Sequence, residues 1–102
     1  MRFVFWPGPN NSWADTLRLA SHAEKTGWDG VYYADHFMPN AADTSGPTSE
    51  CWTTLAALAA LVPRVRLGAL VTGNTYRHPA VLAKMAANVD NISGGRCVLG
   101  LG

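Results

Sequence analysis

Thr75-Tyr76-Arg77-His78-Pro79, followed by Ser93-Gly94-Gly95-Arg96 and then Cys97-Val98-Leu99-Gly100-Leu101-Gly102, is the stretch that decides the fold. It reads as a loop, a helix, a glycine turn and a buried strand. Proline opens the helix at its first position, where the missing N–H has no intrahelical partner to lose. The closing strand is a continuous apolar run rather than an alternating one, the mark of a parallel strand covered on both faces. No helix follows that strand within the 102 residues, so the chain is expected to be the N-terminal segment of a larger barrel.

Working outward, the same grammar recurs. Phe3-Val4-Phe5-Trp6 is a β-branched and aromatic run stopped by Pro7-Gly8-Pro9. Ser12 with Asp15 forms a capping signature, and Trp13, Leu17, Ala20 and Ala23 recur at helical spacing until Gly27 ends the helix. Val31-Tyr32-Tyr33-Ala34 is a compact second strand running into Asp35-His36-Phe37-Met38-Pro39. Residues 40–49 show no hydrophobic period and are expected to form a long exposed loop. Ser49 or Thr48 would cap a second helix carrying Trp52, Leu55, Ala56, Leu58, Ala59 and Val62 up to Pro63. A third strand runs from Arg64 through Val71, and the third helix presents Leu82, Met85, Ala86, Val89 and Ile92 as its buried stripe.

Strand and helix thus alternate, which dictates parallel pairing with right-handed crossovers. An open dinucleotide-binding sheet would carry Gly-x-Gly-x-x-Gly after its first strand, where this chain has Trp6-Pro7-Gly8-Pro9-Asn10. The expected architecture is therefore α/β, with parallel (β/α) units forming the N-terminal part of a TIM (β/α)8 barrel. Residues 1–102 would supply about three and a half units of a single domain, since a complete barrel takes roughly 250 residues.

Composition narrows the function. Hydrophobic residues make up 48% and charged residues 15% of the chain, the formal charge is +1, and no Lys/Arg cluster offers a nucleic acid its counter-charge. Nothing resembles a signal peptide, and the longest apolar run, Leu55 to Val62, is far short of a membrane span. A soluble, cytoplasmic protein acting on a small-molecule substrate is expected, with no nucleic acid or membrane partner. Cys51 and Cys97 share no Cys-x-x-Cys spacing and read as reduced core residues.

Ligands of parallel α/β proteins bind at the carboxyl ends of the strands, where loops are free to vary. That rule selects Trp6-Pro7-Gly8, Asp35-His36-Phe37, Val71-Thr72-Gly73-Asn74 and Gly100-Leu101-Gly102. His36 beside Asp35 could give or take a proton near neutral pH, although the pair could equally be a loop cap with a solvated imidazole. Thr72 and Asn74 offer a hydroxyl and an amide suited to the polar edge of a heterocycle. Gly68, Gly73, Gly100 and Gly102 leave bare backbone that either relieves packing or lets something flat approach. Arg77 could bind an anion or pair with a neighbouring carboxylate. Trp13, Trp28 and Trp52 read as packing residues and Trp6 as a candidate pocket wall. His22 reads as surface and His78 as the residue before a helix-opening proline. Asp35, His36 and His78 lack any metal-ligand spacing, so no metal site is assigned.

Several stretches resemble the luciferase-like monooxygenase superfamily, and in particular its branch of oxidoreductases that use the deazaflavin coenzyme F420. They are Ala34-Asp35-His36-Phe37, the run Glu50 to Ala59, the run Val65 to Pro79, and Leu82 to Met85 continuing through Asp90-Asn91-Ile92-Ser93-Gly94-Gly95-Arg96 to Gly100-Leu101-Gly102. The resemblance covers nearly the whole chain, and Arg-His-Pro and Ser-Gly-Gly-Arg are its most specific elements. It implies a barrel whose mouth holds the ring of F420, or alternatively FMN. It further implies that Asp35 holds the cofactor, that His36 is the catalytic proton donor or acceptor, and that a non-prolyl cis peptide at Leu70-Val71 backs the ring. Thr72 and Asn74 complete the expected cofactor-binding set. Where several members carry Trp shortly after the Asp-His, this chain has Met38-Pro39-Asn40.

The implied activity is hydride transfer between an organic substrate and the C5 position of F420. Two alternatives stand beside it. One is an FMN-dependent monooxygenase supplied by a partner reductase. The other is a non-catalytic barrel fragment that pairs with a complementary half or with itself through exposed edge strands.

Overall fold

A computed structural model describes all residues from Met1 to Gly102. The elements are β1 (Val4–Phe5), α1 (Trp13–Lys25), β2 (Gly30–Tyr33), α2 (Cys51–Leu61), β3 (Arg66–Ala69), α3 (Pro79–Ser93) and β4 (Cys97–Val98). The strands form one sheet in the order β1-β2-β3-β4. Every pairing is parallel, with Val4 opposite Gly30, Val31 opposite Leu67 and Gly68 opposite Val98. Beyond the strands, Thr72 bridges Leu101 in the same sense. Residues 40–49 contain no helix or strand. No helix is long and apolar enough to cross a membrane.

Alternation along the strands separates two faces. Val31, Tyr33, Leu67 and Ala69 point to one side and are buried under Ala20 and Ala23 of α1, Trp52, Leu55 and Leu58 of α2, and Leu82, Ala86 and Val89 of α3. The opposite face is built around Tyr32, whose ring lies against Gly30 and Gly68. A Cβ on Gly68 would stand 2.7 Å from the Val98 carbonyl oxygen.

Capping follows the sequence in two of three helices. The Ser12 hydroxyl accepts from the Asp15 N–H at 3.1 Å and donates to its carboxylate at 2.9 Å. His78 caps α3, its Nδ1 accepting from the Ala80 N–H at 3.2 Å, and Gly94 ends that helix in the left-handed region at φ 68°. The cap of α2 is neither Ser49 nor Thr48 but Glu50, whose carboxylate accepts from the Trp52 and Thr53 N–H groups at 3.1 and 2.7 Å.

Other expectations need correction. The buried stripe of α3 steps through Leu82, Ala86, Val89 and Ser93, so Ser93 takes the inward position while Ile92 stays exposed and Met85 half-buried. Trp52 is buried as expected, but Trp13 and Trp28 are exposed, with Trp28 meeting the edge of the Phe5 ring at 5.6 Å. β4 is the edge strand expected of a partial barrel, with half-buried residues and with Leu99 and Leu101 beyond it exposed; Cys97, read as a core residue, is only half-buried whereas Cys51 is fully buried.

The amino end of the sheet is fastened by side chains reaching backbone groups. Arg96 donates to the carbonyls of Ser93, Val65 and Ala59 at 2.6, 2.7 and 2.9 Å, joining the end of α3 to the approach to β3 and the last turn of α2. Glu24 accepts from the Arg64 and Val65 N–H groups at 3.1 and 2.9 Å.

Candidate active site at the carboxyl rim

Parallel pairing brings the ends of β2 and β3 to one rim, and the Asp35 carboxylate ties them together. Its Oδ2 accepts from the Gly73 N–H at 3.0 Å and from Arg77 Nη1 at 2.6 Å, while its Oδ1 accepts from Arg77 Nη2 at 2.8 Å. Arg77 Nη2 also donates to Glu50 Oε1. The Asp35 side chain is 0% exposed and that of Arg77 10%. Of the two roles open to Arg77 in the sequence, the structure shows the carboxylate pairing.

The electrostatics of this cluster are mutual. The Asp35 hydrogen bond raises the affinity of the Arg77 guanidinium for its proton; burial opposes this and the Glu50 bond adds to it. Burial alone would push the Glu50 carboxyl up. Hydrogen bonds from the Thr53 hydroxyl and N–H, from Arg77 and from the Trp52 N–H outweigh it, leaving the group below its ordinary value. Cys51, the first residue of α2, is pushed well above the ordinary thiol range by burial and then by the nearby Asp35 and Glu50 charges, so it is an inert core thiol.

This arrangement divides the Asp35-His36 pair. The carboxylate turns inward to Arg77 and Gly73, and the His36 imidazole takes no hydrogen bond from the chain. The two are therefore not a hydrogen-bonded acid–base dyad. With no accessible surface, the Asp35 carboxylate is spent on Arg77 and Gly73 inside the chain.

His36 is half-buried and forms the wall shared by two adjoining clefts. One, of about 450 Å³, is lined by His36, Phe37, Met38, Pro39, Asn40 and Tyr76 among others. The other, of about 380 Å³, is lined by Trp6, Pro7, Gly8, Asn10, Asn11 and His36. Phe37 and Tyr76 stack at 4.4 Å between centroids, and the Arg77 guanidinium lies 5.7 Å from the centre of the Phe37 ring. Trp6 borders a cleft, as its place after the first strand suggested.

The turn after β3 lies beside this rim. The Leu70–Val71 peptide is cis, and both side chains are about half exposed. Thr72 is fully buried with no partner for its hydroxyl, and Asn74 is exposed. Gly100 and Gly102 are not openings for a ligand: a Cβ on either would come within 2.3 Å of Ala69 O or Val71 Cγ2, respectively. Gly73 is covered by the Tyr76 ring, 2.7 Å from where a Cβ would sit. All three relieve contacts within the chain itself.

Leu70 and Val71 are half-exposed and apolar, Asn74 is exposed beside them, and the Thr72 hydroxyl, expected at a ligand's edge, is instead fully buried with no accessible surface. The sequence missed Glu50 as a member of the cluster. An acid at a helix N-terminus is the signal that could have found it.

Comparison with known proteins fixes the family. The description "luciferase-like monooxygenase" matches residues 2–102. The chain belongs to the luciferase-like monooxygenase family. An F420-dependent glucose-6-phosphate dehydrogenase of Amycolatopsis mediterranei is 36% identical over 90 residues, covering 86% of this chain and 26% of that protein. The coenzyme F420-dependent tetrahydromethanopterin reductase of Methanopyrus kandleri superposes with a TM-score of 0.85 at 26% identity, over 99% of this chain and 26% of its own. Monooxygenase RslO1 of Streptomyces bottropensis gives a TM-score of 0.85 at 32% identity, over 100% of this chain and 33% of its own. The chain spans about a quarter of the length of the curated relatives it matches. Its parallel sheet and helices are an arc of the TIM barrel of these enzymes.

Proposed function

We propose that this chain supplies the cofactor-facing and proton-handling rim of an oxidoreductase that transfers a hydride between an organic substrate and coenzyme F420, in the cytoplasm. The observation that carries the proposal is the position of His36: half-buried, free of internal hydrogen bonds, and common to two clefts at the carboxyl rim. An imidazole so placed can hold a proton at one ring nitrogen and exchange it with a group bound in either cleft. Two free thiols fit a reducing compartment.

In this proposal Leu70 and Val71 back the ring, the Asn74 amide bonds its polar edge, and the backbone beside Asp35 lines its approach. F420 would supply the hydride chemistry at C5. His36 would give or take the accompanying proton, and Phe37, Tyr76 and Met38 would keep water from the substrate side. Relatives that use F420 support this choice of cofactor.

A second proposal, an FMN-dependent monooxygenase served by a reductase, is favoured by the 32% identity to a monooxygenase of the same fold. Titrating the full-length protein with F420 and with FMN separates the two. Replacing His36 with Ala should lower turnover by about 10²–10⁴-fold while barely changing coenzyme affinity. Turnover equal to the parent would remove His36 from the reaction.

A further inference from the structure

The His36 imidazole has no hydrogen bond of its own, so its placement is inherited from what fixes the backbone on either side. On one side that is Asp35, held by two guanidinium bonds and the Gly73 N–H. On the other it is Phe37, whose ring stacks on Tyr76 at 4.4 Å and has the same guanidinium 5.7 Å from its centre. Arg77 therefore touches both neighbours of His36 while the imidazole faces the clefts.

Arg77 is itself held from behind. Its third bond goes to Glu50, and the Glu50 carboxylate is locked by the Trp52 and Thr53 N–H groups and by the Thr53 hydroxyl at 2.7 Å. A planar guanidinium can satisfy both Asp35 oxygens and Glu50 in one rigid plane, which an ammonium cannot do. The first turn of α2 is thereby coupled through Glu50 and Arg77 to Asp35, and through Gly73 to the Thr72–Asn74 turn.

We propose that Arg77, oriented by Glu50, is a positioning residue that sets the location of the His36 imidazole relative to the turn after β3. This rests on the assignment of His36 as the proton-handling group. Arg77 does not touch substrate or cofactor in this scheme; it acts through Asp35 and Phe37. Misplacing a reacting group by about 1 Å costs on the order of a hundredfold in rate.

The test compares Arg77→Lys and Glu50→Gln with the parent in the full-length protein, using histidine labelled at Cε1 for NMR and F420 as the titrant. Both variants should stay folded by circular dichroism yet shift the His36 Cε1–H resonance and the midpoint of its pH titration. The rate should fall by about a hundredfold for Arg77→Lys and less for Glu50→Gln, which keeps an acceptor oxygen, with F420 affinity little changed. Should Arg77→Lys fail to fold, Glu50→Gln decides. A His36 resonance and titration unmoved in the folded variants would overturn the proposal. Failure of the parent to bind F420 would instead remove the cofactor assignment and leave the NMR comparison to judge Arg77.

Discussion

Asp35→Asn is the most informative single change because it keeps the shape of the side chain and removes its charge. With the amide oxygen in the place of Oδ2, the bonds from Arg77 Nη1 and the Gly73 N–H survive. The amide nitrogen then faces Arg77 Nη2 across 2.8 Å, donor against donor, in a site where the Asp35 side chain is 0% exposed. Flipping the amide restores that contact but sets a donor against two others. Either way a buried guanidinium loses half of its counter-charge and keeps only Glu50. Breaking a buried ion pair costs about 3–5 kcal/mol, and the surviving Glu50 contact and amide acceptor bring the expected loss to about 2–3 kcal/mol. Against total stabilities of about 5–15 kcal/mol, that is a large share.

Urea titration of the parent and Asp35→Asn proteins measures this directly, provided the slope with denaturant is unchanged. Arg77→Met and the double variant complete a cycle, whose non-additivity should exceed about 1 kcal/mol. A loss for Asp35→Asn below about 1 kcal/mol, the size of an exposed surface pair, would refute the claim that this cluster is a buried clamp.

Two other outcomes follow from the same geometry. Glu50 is held below its ordinary 4.5, so between its folded value and 4.5 the unfolded chain binds more protons and stability rises with pH. The contribution is complete above 4.5 and is lost on acidification through the folded value; Glu50→Gln should therefore flatten the pH dependence of the urea midpoint in that window, and an unchanged slope would contradict the assignment. Arg96→Met removes three bonds to the carbonyls of Ser93, Val65 and Ala59 and should cost about 3 kcal/mol in the same assay, with little recovery in Arg96→Lys.

The sequence and the structure agree where the deciding physics is local. Glycine in the left-handed region after α3, proline at its start and the Ser12 cap all act within a turn or two, and each was readable from neighbouring residues. The parallel order followed from alternation alone, and it sufficed to bring Asp35 and the Thr72 turn to one rim. Disagreement begins where a distant group decides. Ser49 and Thr48 are better intrinsic caps than Glu50, yet Glu50 caps α2 because its carboxylate also answers Arg77, 27 residues away. Arg77 and Asp35 are 42 residues apart, a separation that no periodicity reports. The exposure of Trp13, Trp28 and Ile92 depends on which elements cover them, which hydrophobicity by itself does not state.

The division within the Asp35-His36 dipeptide shows why adjacency in sequence misleads about chemistry. Read as a string, a carboxylate beside an imidazole suggests proton relay. In the fold the carboxylate is turned inward to a cation while the imidazole lines the clefts, so the two side chains serve different neighbours. A bidentate ion pair is a poor proton carrier but a stiff joint, because displacing either partner leaves a buried charge unpaired. Stiffness is what a rim made of separate βα loops lacks, since nothing in parallel pairing fixes one loop against the next. Joining the loop after β2, the turn after β3 and the first turn of α2 through Arg77 supplies it, and it leaves the one unbonded imidazole of that rim facing the clefts.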